Sequence, residues 1–226
     1  MGPVLPSQTV ENYLKTIYLA QAGLTSLDDL VPVGQLAAAL GVVPGTATTM
    51  VKTLAESGLV HYEPYMGVRL TQAGEKLASL VLRRHRLVEL FLVKVLGMSW
   101  AEVHDEAERL EHAVSERLID RIDEMLGRPE VDPHGDPIPT AEGRLAETSD
   151  VDLTTAPLGT PLVVTRIIDQ GPGFLRFIEE CGLMPGSTVV IETRDESADA
   201  VRLRTGTEQT AVGTRAASKV LVRAPD

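Results

Sequence analysis

The sequence predicts a mainly α protein with a β-rich C-terminal domain. Apolar residues recur at helical spacing in several stretches between Thr9 and Leu126, as is typical of amphipathic helices. Prolines and glycines then punctuate residues 127–143, where no periodic pattern continues. From Leu162 to Val222 the apolar residues fall in short β-rich runs separated by glycine, aspartate and serine. We therefore expect helical domains first and a small barrel of about five strands last.

The first part of the chain predicts a helix-turn-helix followed by a β-hairpin. Glycine and proline at 41–45 form the turn between two helices, and Gly58 is placed to end the third helix. The expected helices cover 9–22, 35–40 and 46–56, and the expected strands cover 59–62 and 68–70. This order is that of a winged helix, which commonly binds DNA, although other small α+β domains share the pattern.

Two longer helices are expected next. The first begins near Thr71 and runs to Leu92, with Gly97 as its stop. The second begins at Ser99, a candidate N-cap, and runs to Leu126. The second helix carries an apolar strip that could be core or the seam of a dimer: Val114, Leu118, Ile119 and Ile122.

The C-terminal part predicts strands and one short helix. The strands are expected at 162–168, 188–192, 200–204 and 220–222, and the helix at 174–180. The resulting division of the chain is a winged-helix domain at 1–72, a helical domain at 73–140, a linker at 141–158 and a barrel at 159–226.

Composition and charge limit the classes of function that we expect for this chain. The single cysteine, Cys181, excludes a disulfide framework and a thiolate zinc cage, and no long apolar run or leader pattern is present, so we expect a cytoplasmic protein. The net charge of -11 argues against DNA binding at first sight. However, 16 of the 32 acidic residues lie in 85–150, so the acid is concentrated outside the winged helix. Neither a phosphate-binding glycine loop nor a nucleophile elbow appears.

Four side chains on the second long helix predict a metal site. His104, Glu108, Glu111 and His112 lie at offsets 0, 4, 7 and 8, which places them over roughly 100° of a helix. His85 and Glu89 form an i,i+4 pair on the preceding helix and could face them. Imidazole and carboxylate suit first-row divalent ions, although an acidic solvated face would look similar. A catalytic metal site and a metal-independent winged-helix factor both stay open at this point.

At this point four stretches resemble the diphtheria-toxin-repressor family of iron and manganese regulators. They are TVENYLKTIY at 9–18, RHRLVE at 84–89, VHDEAERLEH at 103–112 and DPHGDPIP at 132–139. The C-terminal barrel resembles the SH3-like (FeoA-like) domain of longer members. The resemblance implies a homodimer with an N-terminal winged helix, a dimerisation domain with two metal sites and a third domain.

The resemblance also implies metal ligands. Glu108, Glu111 and His112 match the regulatory site, which a residue of the first helix completes; that position is Asn12 here, where iron-type members have methionine and manganese members often aspartate. Six further residues complete the set of candidate ligands. His85, Glu89 and His104 match an ancillary site, for which Asp169 is a candidate third-domain ligand, and Asp132 and His134 match linker ligands of some manganese regulators, although Asp132 could equally stabilise a turn.

Position 108 favours manganese, because iron-type members have a cysteine where Glu108 offers a hard oxygen. We expect a manganese-responsive homodimeric repressor of metal-ion transport genes, with an iron-responsive regulator or a His/Glu metalloenzyme as alternatives and other divalent transition metals able to substitute in vitro. The expected partner is a palindromic double-stranded DNA operator, and neither a membrane nor a small organic substrate is expected. Its expected contacts are Thr46, Thr48, Thr49 and Lys52 on the recognition helix, and Tyr65 and Arg69 on the hairpin.

Overall fold

The computed structural model describes residues 7–24, 26, 29–146, 149–195 and 197–225. The chain divides into two compact units. The first comprises 1–85 with 139–145, and the second comprises 86–138 with 146–226. Within the described ranges, no helix is both long and apolar enough to cross a membrane.

The first unit has the predicted helix-turn-helix and hairpin. Its elements are α1 (Gln8–Gln21), α2 (Val33–Ala39), α3 (Pro44–Glu56), β1 (Val60–Glu63), β2 (Gly67–Leu70) and the start of α4 (Gln72–Lys94). The two strands pair antiparallel, with Val60 opposite Leu70 and Glu63 opposite Gly67. The winged-helix prediction is therefore confirmed.

The recognition helix α3 is fixed by its apolar face. Ser7 caps α1 by accepting a hydrogen bond from the Val10 N–H at 3.4 Å, and Leu14 of α1 is fully buried in the core of this unit. Helix α3 contributes Val51 and Leu54 to the same core. Burial of one face leaves the opposite face of α3 exposed to solvent.

In the second unit, the expected single helix from Ser99 to Leu126 is wrong. The chain forms α5 (Val103–Leu110) and α6 (Glu116–Met125) with a turn between them. Ser115 has extended backbone angles, and its hydroxyl accepts a hydrogen bond from the Leu118 N–H at 3.3 Å, so it caps a new helix. The expected N-cap at Ser99 is also wrong, because α5 begins four residues later.

The apolar strip of α6 packs mainly within its own chain. Ile119 and Ile122 are buried in a core that includes Leu87 and Val103. Leu118 faces solvent, with 47% of its surface exposed. Of the residues considered for a dimer seam, Leu118 is thus the one that α6 leaves most available.

The rest of the second unit is a six-stranded antiparallel sheet rather than one of about five strands. Its strands are β3 (Val151–Asp152), β4 (Pro161–Ile167), β5 (Thr188–Asp195), β6 (Ala200–Thr205), β7 (Glu208–Gly213) and β8 (Val220–Arg223), and its helices are α7 (Pro172–Glu180) and α8 (Thr214–Ala217). The strand order is β3-β8-β4-β5-β6-β7. Strand β3 begins inside the expected linker 141–158 and is followed by the fully buried Leu153, so the sheet starts earlier than the sequence indicated.

Candidate metal centre

The carboxylates and imidazole at the end of α5 converge. Glu108, Glu111 and His112 each offer a ligand atom within 4.8 Å of the others, and we call them the α5 cluster. Glu111 is fully buried, and one of its carboxylate oxygens lies 3.2 Å from Nε2 of His112. Glu108 is partly exposed on the last turn of the helix. Two carboxylates and one imidazole are a donor set that fits a first-row divalent ion.

The end of α5 explains why these side chains meet although the expected long helix is broken. Glu111 is the C-cap, and it keeps helical backbone angles (φ -55°, ψ -29°). Its N–H donates to the Ala107 carbonyl at 2.8 Å, as in a continuing helix. Glu108 and Glu111 are therefore still related by helical spacing, and His112 follows in the turn.

A second group of ligands is completely buried. Glu89 of α4 and two residues of the loop after α6, Asp132 and His134, offer three potential ligand atoms within 4.8 Å of one another. We call these three residues the buried cluster. Each is at most 4% exposed, so an acidic solvated face cannot account for the group.

The imidazole of His134 is oriented for coordination. Its Nε2 lies 2.8 Å from the carbonyl oxygen of Trp100. Because a carbonyl oxygen only accepts, Nε2 must carry the proton, and in a neutral ring Nδ1 then has a free lone pair. Nδ1 is buried, has no hydrogen-bond partner in the described ranges, and lies 3.9 Å from carboxylate oxygens of both Glu89 and Asp132. A fixed tautomer of this kind is typical of a metal-ligating histidine.

Asp132 serves both as a turn former and as a member of the buried cluster. Its Oδ1 accepts hydrogen bonds from the backbone N–H groups of His134 (2.8 Å) and Asp136 (2.9 Å). Burial raises the pKa of Asp132 well above its usual range, and the nearby Asp136 and Glu89 carboxylates raise it further, whereas Arg86 lowers it. Oδ2 accepts no hydrogen bond within the part of the chain that is described. A divalent cation would relieve this charge crowding.

The loop that carries these two ligands approaches strand β4 closely. The His134 carbonyl accepts a hydrogen bond from the Ile167 N–H at 2.9 Å. Gly135 follows with a positive φ of +86°. A Cβ added there would lie 2.8 Å from the Cα of Arg166 and nearer still to the Thr165 carbonyl oxygen. Only glycine fits this position.

Charged side chains hold the same loop. Asp136 pairs with Arg166 of β4 and accepts a hydrogen bond from the Gln170 amide at 2.5 Å. The guanidinium of Arg86 lies 3.7 Å from both Asp132 and Asp136 and donates to the Pro137 carbonyl. Two arginines thus offset part of the negative charge next to the buried cluster.

The remaining sequence-predicted ligands are placed as follows. Nδ1 of His104 lies 3.2 Å from a carboxylate oxygen of Glu89, so Glu89 faces two histidines. His85 is buried on α4, one turn before Glu89. In the first unit, Asn12 lies on α1, and its side-chain oxygen is buried with no hydrogen-bond partner among the described residues. Asp169 belongs to neither cluster.

The carboxylate of Asp169 is already engaged. It lies 2.5 Å from the Lys219 ammonium and accepts the Gly171 N–H at 3.0 Å. The hydrogen bond from Lys219 and then that from Gly171 lower the pKa of Asp169. These partners account for the carboxylate without a metal ion.

All six residues expected to contact DNA lie in the first unit. Thr46, Thr49 and Lys52 are exposed on α3, and Thr48 is partly covered. At the hairpin turn, Tyr65 is fully exposed and has a φ of 67°. The last expected contact, Arg69, lies on β2 opposite His61 and is half-buried.

Sequence reasoning assigned Glu89 to one site and Asp132 with His134 to another, and it missed the surrounding Arg86 and Asp136. The spacing Asp132-Pro-His134-Gly indicates a tight turn, which is a local signal. That this turn packs on Glu89 depends on tertiary structure, for which a single sequence carries no signal.

Comparison with known families gives three matches. The family model of the N-terminal DNA-binding domain of iron-dependent repressors matches residues 7–68, and that of their metal-binding and dimerisation domain matches 71–140. The FeoA domain matches 151–224.

Individual relatives agree with these matches. The chain is 34% identical over 198 residues to the iron-dependent repressor IdeR of Mycobacterium tuberculosis (strain ATCC 25618 / H37Rv), covering 82% of this chain and 84% of the relative. It is 35% identical over 124 residues to the HTH-type transcriptional regulator MntR of Lysinibacillus sphaericus (strain C3-41), covering 54% and 84%. Among solved structures, a manganese-dependent transcriptional repressor in complex with manganese is 39% identical, with a TM-score of 0.84 over 96% of this chain and 100% of that chain.

Proposed function

The chain belongs to the iron-dependent repressor family, and from this premise we propose that it represses transcription as a homodimer that binds DNA when loaded with manganese. Members of the family are metal-dependent DNA-binding regulators and not enzymes. The ion is therefore a signal rather than a catalyst. We assign DNA binding to 1–72, metal binding and dimerisation to 73–140, and the FeoA-like domain to 159–226.

The donor atoms of the α5 cluster support manganese as the ion. Its three side chains provide oxygen and nitrogen donors and no sulfur. Hard carboxylate oxygens bind Mn²⁺ more favourably than they bind softer metal ions, and Glu108 stands where iron-type members have a thiolate. The similar repressor that was solved with manganese supports the same choice. When bound, the ion would link these carboxylates and the imidazole into one rigid group.

We assign the remaining coordination position of this site to Asn12. An amide oxygen can bind a hard cation, and burying such an oxygen without a hydrogen bond is unfavourable. The unpartnered side-chain oxygen of Asn12 is what supports the assignment. A ligand on α1 would couple ion binding to the helix that packs against the DNA-binding core.

We assign a second ion to the surroundings of Glu89. The buried Nδ1 lone pair of His134 and the raised pKa of Asp132 both support a cation there. His104 and His85 are the further candidate ligands on the helical side. Because Glu89 faces both His104 and His134, the ancillary set and the linker set would share this carboxylate. Asp169 is not included, since Lys219 already neutralises it.

Metal acts through differential affinity. An ion shifts the population only if it binds the DNA-competent arrangement more tightly than the alternatives, and a shift from 1:99 to 99:1 needs about 5.5 kcal/mol of difference. In a two-fold dimer, two α3 helices would then enter successive major grooves of a palindromic operator. We infer that the regulated genes encode metal-ion transport proteins.

Gel-shift titration with duplexes selected from a random-sequence pool tests the proposal. We expect retarded complexes with Mn²⁺ and none after chelation. His112→Ala should abolish the Mn²⁺ effect without unfolding the protein, because it removes one ligand from the α5 cluster. Arg121→Ala on the solvent-facing side of α6 is the control, since Arg121 is exposed and pairs with the exposed Glu124. Stronger activation by Fe²⁺ under anaerobic conditions would identify an iron-responsive regulator, and metal-independent binding would contradict the switch.

A further inference from the structure

Three threonine hydroxyls of α3 are bonded to their own helix. Thr49 donates to the Gly45 carbonyl at 3.0 Å, and Thr53 donates to the Thr49 carbonyl at 3.2 Å. Thr48 donates to the Pro44 carbonyl at 2.8 Å. These are the bonds to residue i-4 that serine and threonine form in helices. The hydroxyl hydrogens are therefore not available to a ligand that approaches this face.

The hydrogen bonds of these hydroxyls determine which side-chain groups of α3 are available to contact bases in a DNA groove. A threonine whose hydroxyl hydrogen is engaged presents an oxygen that only accepts, together with a methyl group. The guanine edge in the major groove offers only acceptors, so such a side chain cannot donate to guanine. Thymine, in contrast, carries a C5 methyl group that an apolar side-chain group can contact.

Thr49 has the best position for such a contact. It lies in the N-terminal half of α3, the part of a recognition helix that reaches base edges, and it is exposed. Gly45, one turn earlier on the same stripe, has no side chain, and the space where its Cβ would lie is open. Lys52 follows one turn later and can bind a phosphate. DNA can thus approach Thr49 past Gly45 without meeting another side chain on that turn.

We propose that Thr49 recognises the operator through its methyl group, by apolar contact with the C5 methyl of a thymine in each half-site. The inference rests on the proposed DNA-binding function and specifies how that surface distinguishes bases. The hydroxyl keeps its bond to Gly45 in the complex and takes no part in base recognition. Specificity at this position is then for a methyl group rather than for a hydrogen-bonding edge.

The test uses the duplex that the unmodified protein selects with Mn²⁺ from the random pool. Each thymine is replaced in turn by deoxyuridine, which keeps the pairing edge and lacks the C5 methyl. We expect one symmetric pair of replacements to weaken binding by about four-fold per half-site, the value for one buried methyl-sized group. Replacements elsewhere should leave affinity within about two-fold.

Two variants assign the effect to Thr49. Thr49→Val keeps the methyl and removes the hydroxyl, so it should bind the selected duplex as the unmodified protein does. Thr49→Ser keeps the hydroxyl and removes the methyl, so it should lose the same factor and no longer distinguish thymine from deoxyuridine. Thr53→Val, with the same internal bond nearer the end of α3, is the matched control and should change nothing.

The possible results distinguish the inference about Thr49 from the proposed function. Loss of specificity in Thr49→Val would mean that the hydroxyl contacts a base, and it would overturn the inference. Insensitivity to deoxyuridine at every position, with Mn²⁺-dependent binding intact, would overturn it as well while leaving the proposed function in place. If the unmodified protein selects no duplex with any metal, the proposed function fails and the inference fails with it.

Discussion

Replacing Gly135 by alanine should remove the proposed second metal site while leaving the α5 cluster intact. Gly135 lies between the two loop ligands of the buried cluster and strand β4, with a φ of +86°. A Cβ at this position would be 2.8 Å from the Cα of Arg166 and closer to the Thr165 carbonyl oxygen. The closer contact, with the Thr165 oxygen, sets the displacement: non-bonded atoms pack best at about 3.5 Å, so the loop and the strand must separate by roughly 1.5 Å.

Three contributions set how far Gly135→Ala lowers the free energy of unfolding. The left-handed conformation costs an alanine about 1–2 kcal/mol relative to glycine. Separation from β4 would break the hydrogen bond from Ile167 to the His134 carbonyl, which is worth about 1 kcal/mol. The steric displacement adds to both, so we expect a loss of about 2–4 kcal/mol in the free energy of unfolding. A displacement of this size exceeds the roughly 0.5 Å tolerance of a preorganised site.

The assay combines urea unfolding with calorimetric Mn²⁺ titration. Gly159→Ala is the matched control, because Gly159 also has a positive φ (+71°) but open space where its Cβ would lie. It should lose only the conformational contribution, about 1–2 kcal/mol, and keep its metal stoichiometry. Gly135→Ala should bind one ion fewer per chain than the parent. Equal stoichiometry in the two variants would refute the assignment of the buried cluster as a metal site.

Three further changes test other parts of the reasoning. Glu108→Cys should move the metal response toward Fe²⁺ and softer ions, and an unchanged ranking in parallel titrations would show that position 108 does not set preference. Ile119→Ala should lower the free energy of unfolding by about 2–4 kcal/mol because Ile119 is 1% exposed; Arg121→Ala, at an exposed position of the same helix, should lower it by less than about 1 kcal/mol, and the reverse order would contradict the placement of α6. Inserting about five base pairs at the centre of the selected operator should remove most specific affinity, since it turns one half-site to the opposite face of the duplex; retained affinity would indicate independent monomers.

The α5 cluster could be predicted from local spacing, although the helix expected from the sequence is longer than the observed α5. The break comes after Glu111, which keeps helical angles, so the relation between Glu108 and Glu111 is that of an unbroken helix. The signal for the break was present in the sequence. Ser115 followed by Glu116 is a typical N-cap with an acidic first turn, and the continuous apolar periodicity concealed it.

The buried cluster could be predicted only in pieces. The turn at Asp132 is local, because its carboxylate bonds to backbone N–H groups two and four residues later. The contact of that turn with Glu89 is set by packing of the loop on α4 and β4. Pairing over such a sequence distance leaves no periodic trace, so the sequence alone did not bring Glu89 together with Asp132 and His134.

The sheet shows the same division between local and tertiary information. Strands with buried alternate residues, such as β4 with Leu162 and Val164, were expected at nearly their observed bounds. Strand β7 begins with polar Glu208 and buries Val212 near its end, so it lacks the alternation that would indicate a strand. Strand β3 has two residues and is fixed by pairing with β8, which is a tertiary event.

The charges around the buried cluster explain how one group of side chains can serve both folding and sensing. Carboxylates buried close together are unfavourable without a cation, and the raised pKa of Asp132 expresses that cost even with Arg86 nearby. An ion that binds only the folded site stabilises it by about 2.7 kcal/mol when its free concentration is 100 times its dissociation constant. Because Asp132 and Asp136 belong to one turn, and Asp136 pairs with Arg166, an ion at the proposed site would also stabilise the contact of this loop with strand β4. The order of the loop would then depend on the metal concentration.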